Sequence, residues 1–257
     1  MGEHKLTNPS RRQFFRLAAA AAGALPFSGS SANAMTCVNP YTKEWYCCFL
    51  LGTRILAAAG EIPVEEIAIG DRVKTDRGEY SPVKWIGRRR FKNAVGATWP
   101  FLPIRIARHA LDERTPHADL YVSPSHCLYI DGVLIPADHL VNDLSIVPAL
   151  PEGVEDIEYF HLELETHEVI YAEGAAVETL LVTSDRDGFN NFVDYERLYG
   201  SENREPMAPY APIARYNGGR SELKGLLRRL ASPVVDIRDP IQVAYDRIAA
   251  RAGEVVI

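Results

Sequence analysis

Cys48-Phe49-Leu50-Leu51-Gly52-Thr53-Arg54-Ile55 opens the stretch from which the fold is read. It leads into Thr53–Leu56, the first of a series of short apolar runs separated by Gly, Pro, Asp and Asn. The others are Arg72–Thr75, Pro82–Ile86, Ile104–Ile106, Asp119–Val122, Cys127–Ile130, Ser145–Val147, Tyr159–Leu164 and Glu168–Tyr171. Runs that recur about every ten residues between turn signals predict an all-β sheet structure. Phe160-His161-Leu162-Glu163-Leu164-Glu165 alternates apolar and polar with the strand period of two. Helix signals are few here; Leu140 and its neighbours predict a single turn.

An internal repeat runs through the same region. Gly60-Glu61-Ile62-Pro63-Val64-Glu65-Glu66-Ile67 precedes Gly70-Asp71-Arg72-Val73, and Gly132-Val133-Leu134-Ile135-Pro136-Ala137-Asp138-His139-Leu140 precedes Asn142-Asp143. Each copy reads as strand, proline turn, acidic turn and strand, at an offset of about 73 residues, which predicts two β halves related by a pseudo-twofold.

Two further stretches carry chemistry-bearing residues. Val122-Ser123-Pro124-Ser125-His126-Cys127-Leu128 holds a spaced serine and histidine, and Tyr159–Gly174 holds His161 and His167 among acidic residues. By residue type alone, Cys48 is either a nucleophile or a small buried hydrophobe. His126 is either a proton-transfer group or a satisfied strand histidine. Cys127 falls on the opposite strand face from His126 and reads as core. No cysteine or third histidine completes a zinc spacing around His161 and His167, so no metal is expected.

Taken in order, these stretches resemble the Hedgehog/intein (Hint) family, in the bacterial branch without intein C-terminal residues. The resemblance covers Cys47 to Phe189, roughly half the chain. It implies a horseshoe-like all-β fold of two related halves and an N-to-S acyl shift without a cofactor. Cys48 takes the place of the family's first nucleophile, attacking the Cys47 carbonyl so that the scissile Cys47–Cys48 peptide becomes a thioester. Ser123 and His126 stand in the family's T-x-x-H motif, with serine for threonine, and Gly70-Asp71-Arg72-Val73 matches its G-D-x-V turn. In those places His126 would protonate the leaving amide nitrogen, and the Ser123 hydroxyl would hydrogen-bond the tetrahedral oxyanion. His167 corresponds to the histidine of a later motif. Where inteins end in an asparagine that cyclises, this chain reads Ala176-Val177-Glu178-Thr179, so full splicing is not expected. Where Hedgehog proteins use an aspartate on a sterol, it reads Trp85-Ile86-Gly87-Arg88, so sterol transfer is not supported either. What remains is a thioester cleaved by, or transferred to, an unidentified acceptor. Two other functions stay open: a silent Hint fold serving as a secreted binding or assembly module, and a trans-acting cysteine hydrolase.

Before this region, Ser10-Arg11-Arg12-Gln13-Phe14-Phe15-Arg16 leads into the uncharged, alanine-rich stretch Leu17–Ala34, closed by Ala32-Asn33-Ala34. A basic start, a short apolar stretch and small residues before a cut predict a signal peptide over 1–34, cleaved between Ala34 and Met35. The paired arginines resemble the twin-arginine export signal of bacteria. The expected partners are therefore the twin-arginine machinery and a signal peptidase, and the expected location is periplasmic or secreted. Pro26 and Gly29 interrupt the stretch, so no stable membrane span is expected after processing. A short segment, 35–47, precedes the Hint-like region, 48–181. It is aromatic, and its Cys37 and Cys47 are candidates for pairing after export.

Residues 182–257 predict an extended loop over Val182–Asn217, a helix over Ser221–Leu230 and a second helix from Asp239-Pro240 to about Ala252. The whole chain has 257 residues, a net charge of −6, 47% hydrophobic residues and four cysteines. That is globular composition with too few cysteines for a disulfide scaffold. The acidic excess sits in the middle region and argues against a nucleic-acid partner.

Overall fold

The structure, a computed structural model, describes residues 47–92, 102–182, 186, 188–200, 206–214 and 239–255. The expected signal peptide with its Ala34–Met35 cut, residues 35–46 including Cys37, and the Ser221–Leu230 helix lie outside the described residues.

Two antiparallel sheets account for the strands, numbered in chain order. In space the first runs β11 (Ile146–Pro148), β7 (Ile104–Ile106), β8 (Leu120–Val122), β1 (Phe49–Leu50), β12 (Ile157–Glu163) and β6 (Trp85–Phe91). The second runs β10 (Val133–Pro136), β9 (Cys127–Ile130), β14 (Ala175–Glu178), β13 (Val169–Ala172), β2 (Arg54–Ala57), β4 (Arg72–Lys74) and β5 (Tyr80–Pro82), with β3 (Gly60–Pro63) on β2. The apolar runs read from the sequence supply the core. Phe49, Ile55, Val73, Ile104, Ile106, Leu120, Val122 and Leu128 are all at 0% exposure, in one continuous cluster. Each fully buried side chain of this size stabilises the fold by about 2–3 kcal/mol.

The chain passes from the first sheet to the second three times, and two of these passages, β1 to β2 and β8 to β9, are related turns. Between β1 and β2, the Thr53 N–H and hydroxyl both donate to the Leu50 carbonyl, at 3.1 and 2.7 Å. Gly52 takes φ +87° in this turn, a left-handed conformation that glycine adopts without strain. Between β8 and β9, the His126 N–H donates to the Ser123 carbonyl at 3.0 Å. Each turn continues into a hairpin, β2/β3 or β9/β10, that ends at a proline and a 3-10 turn. The turns are Val64–Glu66 and Ala137–Leu140, and the prolines have nearly the same conformation, φ −54° and ψ 137° at Pro63, φ −57° and ψ 137° at Pro136. The sequence repeat is thus a repeat of backbone geometry.

The alternation at Phe160–Glu165 does not mark a half-solvated strand. His161 and Glu163 are both at 0% exposure. Glu163 is satisfied by Arg186, whose Nε and Nη2 donate to its two carboxylate oxygens at 2.6 and 2.8 Å. Burial raises the Glu163 pKa, and Arg186 opposes that shift.

The expected loop over Val182–Asn217 also contains a helix, α1 (Phe192–Tyr199). Eight residues are too few to hold a helix by propensity alone, and packing holds this one. Tyr195 is 3% exposed, 5.3 Å from the Trp85 ring and 4.2 Å under the Arg186 guanidinium. Just before it, Asn190 and Asn191 line the outer edge of β6. Their side-chain oxygens accept from the Arg90 and Arg88 N–H groups at 2.9 and 2.8 Å, and the Asn191 amide donates to the Ile86 carbonyl at 2.9 Å. Phe189 seats its ring on Gly87, where a Cβ would come within 2.5 Å of it. The last helix, α2 (Pro240–Val255), begins as its sequence predicts. Asp239 accepts from the Ile241 N–H at 3.0 Å as the N-cap, with Pro240 in the first helical position. Its Ile241, Ala244, Ile248 and Ala252 form one buried stripe.

Candidate active site

Cys48 sits immediately before β1, the strand held between β8 and β12. The register Phe49↔Val122 brings it opposite Ser123, and the two residues bond reciprocally. The Cys48 N–H donates to Ser123 Oγ at 2.8 Å, and the Ser123 N–H donates to the Cys48 carbonyl at 2.9 Å. The Cys48 nitrogen belongs to the 47–48 peptide. The Ser123 hydroxyl therefore meets the nitrogen side of that bond, whereas the sequence reading assigned it to the carbonyl oxygen. Cys47 is disulfide-bonded. Its sulfur lies 3.2 Å from the Ser125 carbonyl, on the same turn, and without a proton it makes a packing contact there.

The Cys48 thiol is buried at 1% exposure, in a cluster with Leu50, Ile157 and Tyr159. Burial pushes its pKa up to about 12, and the positive charge of Arg89 on β6 works in the opposite direction. A thiolate in this surrounding is disfavoured in the resting state.

His126 hangs from the Ser123–His126 turn at 0% exposure. Its ring packs 4.4 Å from Phe49, the residue after Cys48, and 5.2 Å from the His161 ring. Neither ring nitrogen of His126 or His161 has a hydrogen-bond partner among the described residues. Burial pulls the His126 pKa down to about 4 and that of His161 well below the usual histidine range. Both rings are therefore neutral at pH 7. The carboxylate of Glu178 is the first of the influences that favour the charged form of His126.

Glu178 ends β14, beside the start of β9, where the Cys127 N–H donates to its Oε1 at 2.9 Å. Its Oε2 lies 3.4 Å from His167 Nε2. The other ring nitrogen of His167, Nδ1, accepts from the Tyr210 N–H at 2.9 Å. Since Nδ1 is an acceptor, Nε2 carries the proton, on the side of the ring next to Glu178. The Tyr210 hydroxyl is itself anchored on Asp76 at 2.8 Å. Burial raises the Glu178 pKa, but His167, His126 and the Cys127 N–H outweigh it and leave the carboxylate below its ordinary range.

Among the described residues, no group of three or more His, Cys, Asp or Glu side chains is arranged to hold a metal ion. Of the residues chosen from the sequence, Cys48 and Ser123 are in direct contact. His126 joins them through its turn and the Phe49 ring, and His167 reaches this interior through Glu178. Sequence reading chose neither Glu178 nor Arg89 as a site residue, and it weighed His161 only as a metal ligand. Glu178 had no signal beyond its place after the last apolar run, and its role depends on β14 pairing with β9.

A family model described as the Hint domain matches residues 47–184, more than half of the chain. The chain belongs to the Hint domain family. Its Hint domain begins at the Cys47–Cys48 junction and ends just before the Arg186 contact. Among solved structures it is similar to a DnaB intein from Synechocystis, at 14% identity and a TM-score of 0.36 over 52% of this chain and 99% of that one. It is also similar to a bacterial intein-like domain from Clostridium thermocellum, at 15% identity and a TM-score of 0.31 over 51% and 96% of the two chains. The gp41-1 intein is similar at 14% identity, with a TM-score of 0.31 over 51% and 97%. No curated protein matches the sequence.

Proposed function

We propose that this chain is an exported Hint domain protein that converts its Cys47–Cys48 peptide bond into a thioester by an N-to-S acyl shift. The observation that carries this reading is the reciprocal bonding of Cys48 and Ser123, which puts a hydroxyl 2.8 Å from the nitrogen that must leave. As the Cys48 sulfur attacks the Cys47 carbonyl carbon, the amide nitrogen loses its planarity and gains a basic lone pair. The Ser123 hydroxyl can then turn from acceptor to donor on that nitrogen. The Sγ–C bond forms, the C–N bond breaks and the thiol proton ends on the Cys48 amine. With the thiol near 12 and His126 near 4, a separate proton transfer between them costs on the order of 10 kcal/mol. Proton movement is therefore concerted with attack or follows an opening of the site. Glu178-Thr179 stands where splicing needs asparagine, so the thioester is cleaved or transferred, without ligation of flanking segments. The export reading rests on the arginine pair and the Ala32-Asn33-Ala34 site.

Incubation of the purified chain with hydroxylamine, followed by intact mass measurement, tests the chemistry. The expected products are a fragment beginning at Cys48 and a hydroxamate at Cys47, both missing in Cys48→Ala. A folded wild-type chain of unchanged mass would overturn the reading. Replacement of Arg11 and Arg12 by lysine tests export, and it should retain the protein in the cytoplasm with the 34–35 bond uncut.

The second reading, a silent Hint fold acting as a binding or assembly module, draws on the burial of Cys48 at 1% exposure and its raised pKa. It predicts that Cys48→Ala leaves processing and export unchanged.

A further inference from the structure

Among the described residues, Glu178 is the acidic group set against the buried His126 and His167. It is 1% exposed, and its two oxygens are committed to different elements. Oε1 receives the Cys127 N–H at 2.9 Å, one residue beyond His126, and Oε2 lies 3.4 Å from His167 Nε2. His167 cannot turn away, because its Nδ1 accepts the Tyr210 N–H at 2.9 Å and Tyr210 is tied to Asp76. The carboxylate is thus oriented from β9, from the loop before β13 and from the tail segment 206–214. His126, on the turn adjoining Cys127, has two ring nitrogens in the same interior without a hydrogen-bond partner among the described residues. The groups that face His126 in this interior are Glu178, His161 and His167.

We propose that Glu178 is a positioning residue for the acyl shift, a fixed negative charge that lets His126 take up a proton while the Cys47–Cys48 amide breaks. The proposal rests on the reading of the chain as an acyl-shift domain and adds a residue that the spaced serine and histidine do not announce. His126 relays the thiol proton in the same step as attack and not as a separate transfer. The Sγ–C bond forms, the C–N bond breaks, and the proton ends on the Cys48 nitrogen, so nothing else is consumed. The tail segment takes part at one remove: Tyr210 fixes the tautomer of His167, and His167 fixes Glu178.

The test uses the full chain with Glu178→Gln, which keeps the side-chain shape and an oxygen for the Cys127 N–H but removes the charge. Two quantities are read, the rate of hydroxylamine cleavage at 47–48 across pH and the NMR titration of the His126 ring. The expected result is a fall of about ten- to a hundredfold in rate, with His126 titrating at lower pH than in wild type. A Glu178→Gln chain that cleaves at the wild-type rate, or whose His126 titration does not move, overturns the proposal and leaves the acyl-shift reading standing. A wild-type chain that does not cleave overturns both. Should Glu178→Gln not fold, His167→Gln carries the test. It leaves the carboxylate in place but removes its stabilising ring, so Glu178 takes a proton at higher pH and the acidic limb of the rate profile moves upward. An unmoved limb at the wild-type rate overturns the proposal.

Discussion

The two related sheet-crossing turns, β1 to β2 and β8 to β9, are built alike and differ in what they leave unsatisfied. In the first, Thr53 spends both its N–H and its hydroxyl on the Leu50 carbonyl and is locally complete. In the second, the His126 N–H makes the equivalent bond to Ser123, but its ring nitrogens have no hydrogen-bond partner among the described residues and the Ser123 hydroxyl is turned to the 47–48 peptide. The repeat therefore supplies a scaffold twice, and one copy has exchanged local satisfaction for groups available to a reaction. A buried imidazole without hydrogen bonds costs stability. It persists because the surrounding hairpins, repeated and fully packed, hold the turn in place.

Breaking the second turn should give the largest effect. His126→Ala is expected to slow hydroxylamine cleavage by roughly 10²- to 10⁴-fold, read by the yield of the fragment beginning at Cys48. If the chain still cleaves at the wild-type rate, the two turns are functionally equivalent and the contrast fails. A control away from both turns is the Glu163–Arg186 pair, where the buried charges are matched. Glu163→Gln leaves Arg186 unpaired and should cost about 3–5 kcal/mol in urea unfolding, with the helix α1 lost first.

Acid sharpens the contrast further, because the second turn titrates and the first does not. His126 has a folded pKa of about 4, below the ordinary histidine value of 6.5, so the unfolded chain binds its proton first. Stability is whole above pH 6.5 and falls as pH drops from 6.5 towards 4, by about 3 kcal/mol from this residue. His161 shifts in the same direction. Unfolding at pH 7 and pH 4.5 in wild type and His126→Leu measures it, and the variant should show a shallower loss. Thr53→Val is expected to have the smallest effect, a loss of about 1 kcal/mol in stability with cleavage unchanged.

The parts of the molecule legible in the sequence are those that depend on local pattern. Ile104–Ile106, Cys127–Ile130 and the α2 cap at Asp239-Pro240 each carry their signal within a few residues. β1 is too short, at two residues, to leave a periodic trace. The helix α1 was hidden because its formation depends on the Trp85 ring and Arg186, far away in sequence. Cys48, Ser123 and His126 were legible through their ordered spacing. Which atom of the Cys47–Cys48 peptide Ser123 touches was not, since that depends on the register between β1 and β8. His161 looked solvent-facing by alternation and is buried, because β12 is covered on both faces. Glu178 could be found only once β14 was seen to lie beside β9.

Asn190 and Asn191 lie beyond the stretch matched by the family model, yet they occupy the hydrogen-bonding groups on the outer edge of β6. A chain cut after residue 184 would keep every candidate catalytic side chain and still present bare N–H groups at Arg88 and Arg90. Such an edge recruits strands from neighbouring molecules. The segment that follows the domain thus covers a sheet edge that the domain's own strands leave open.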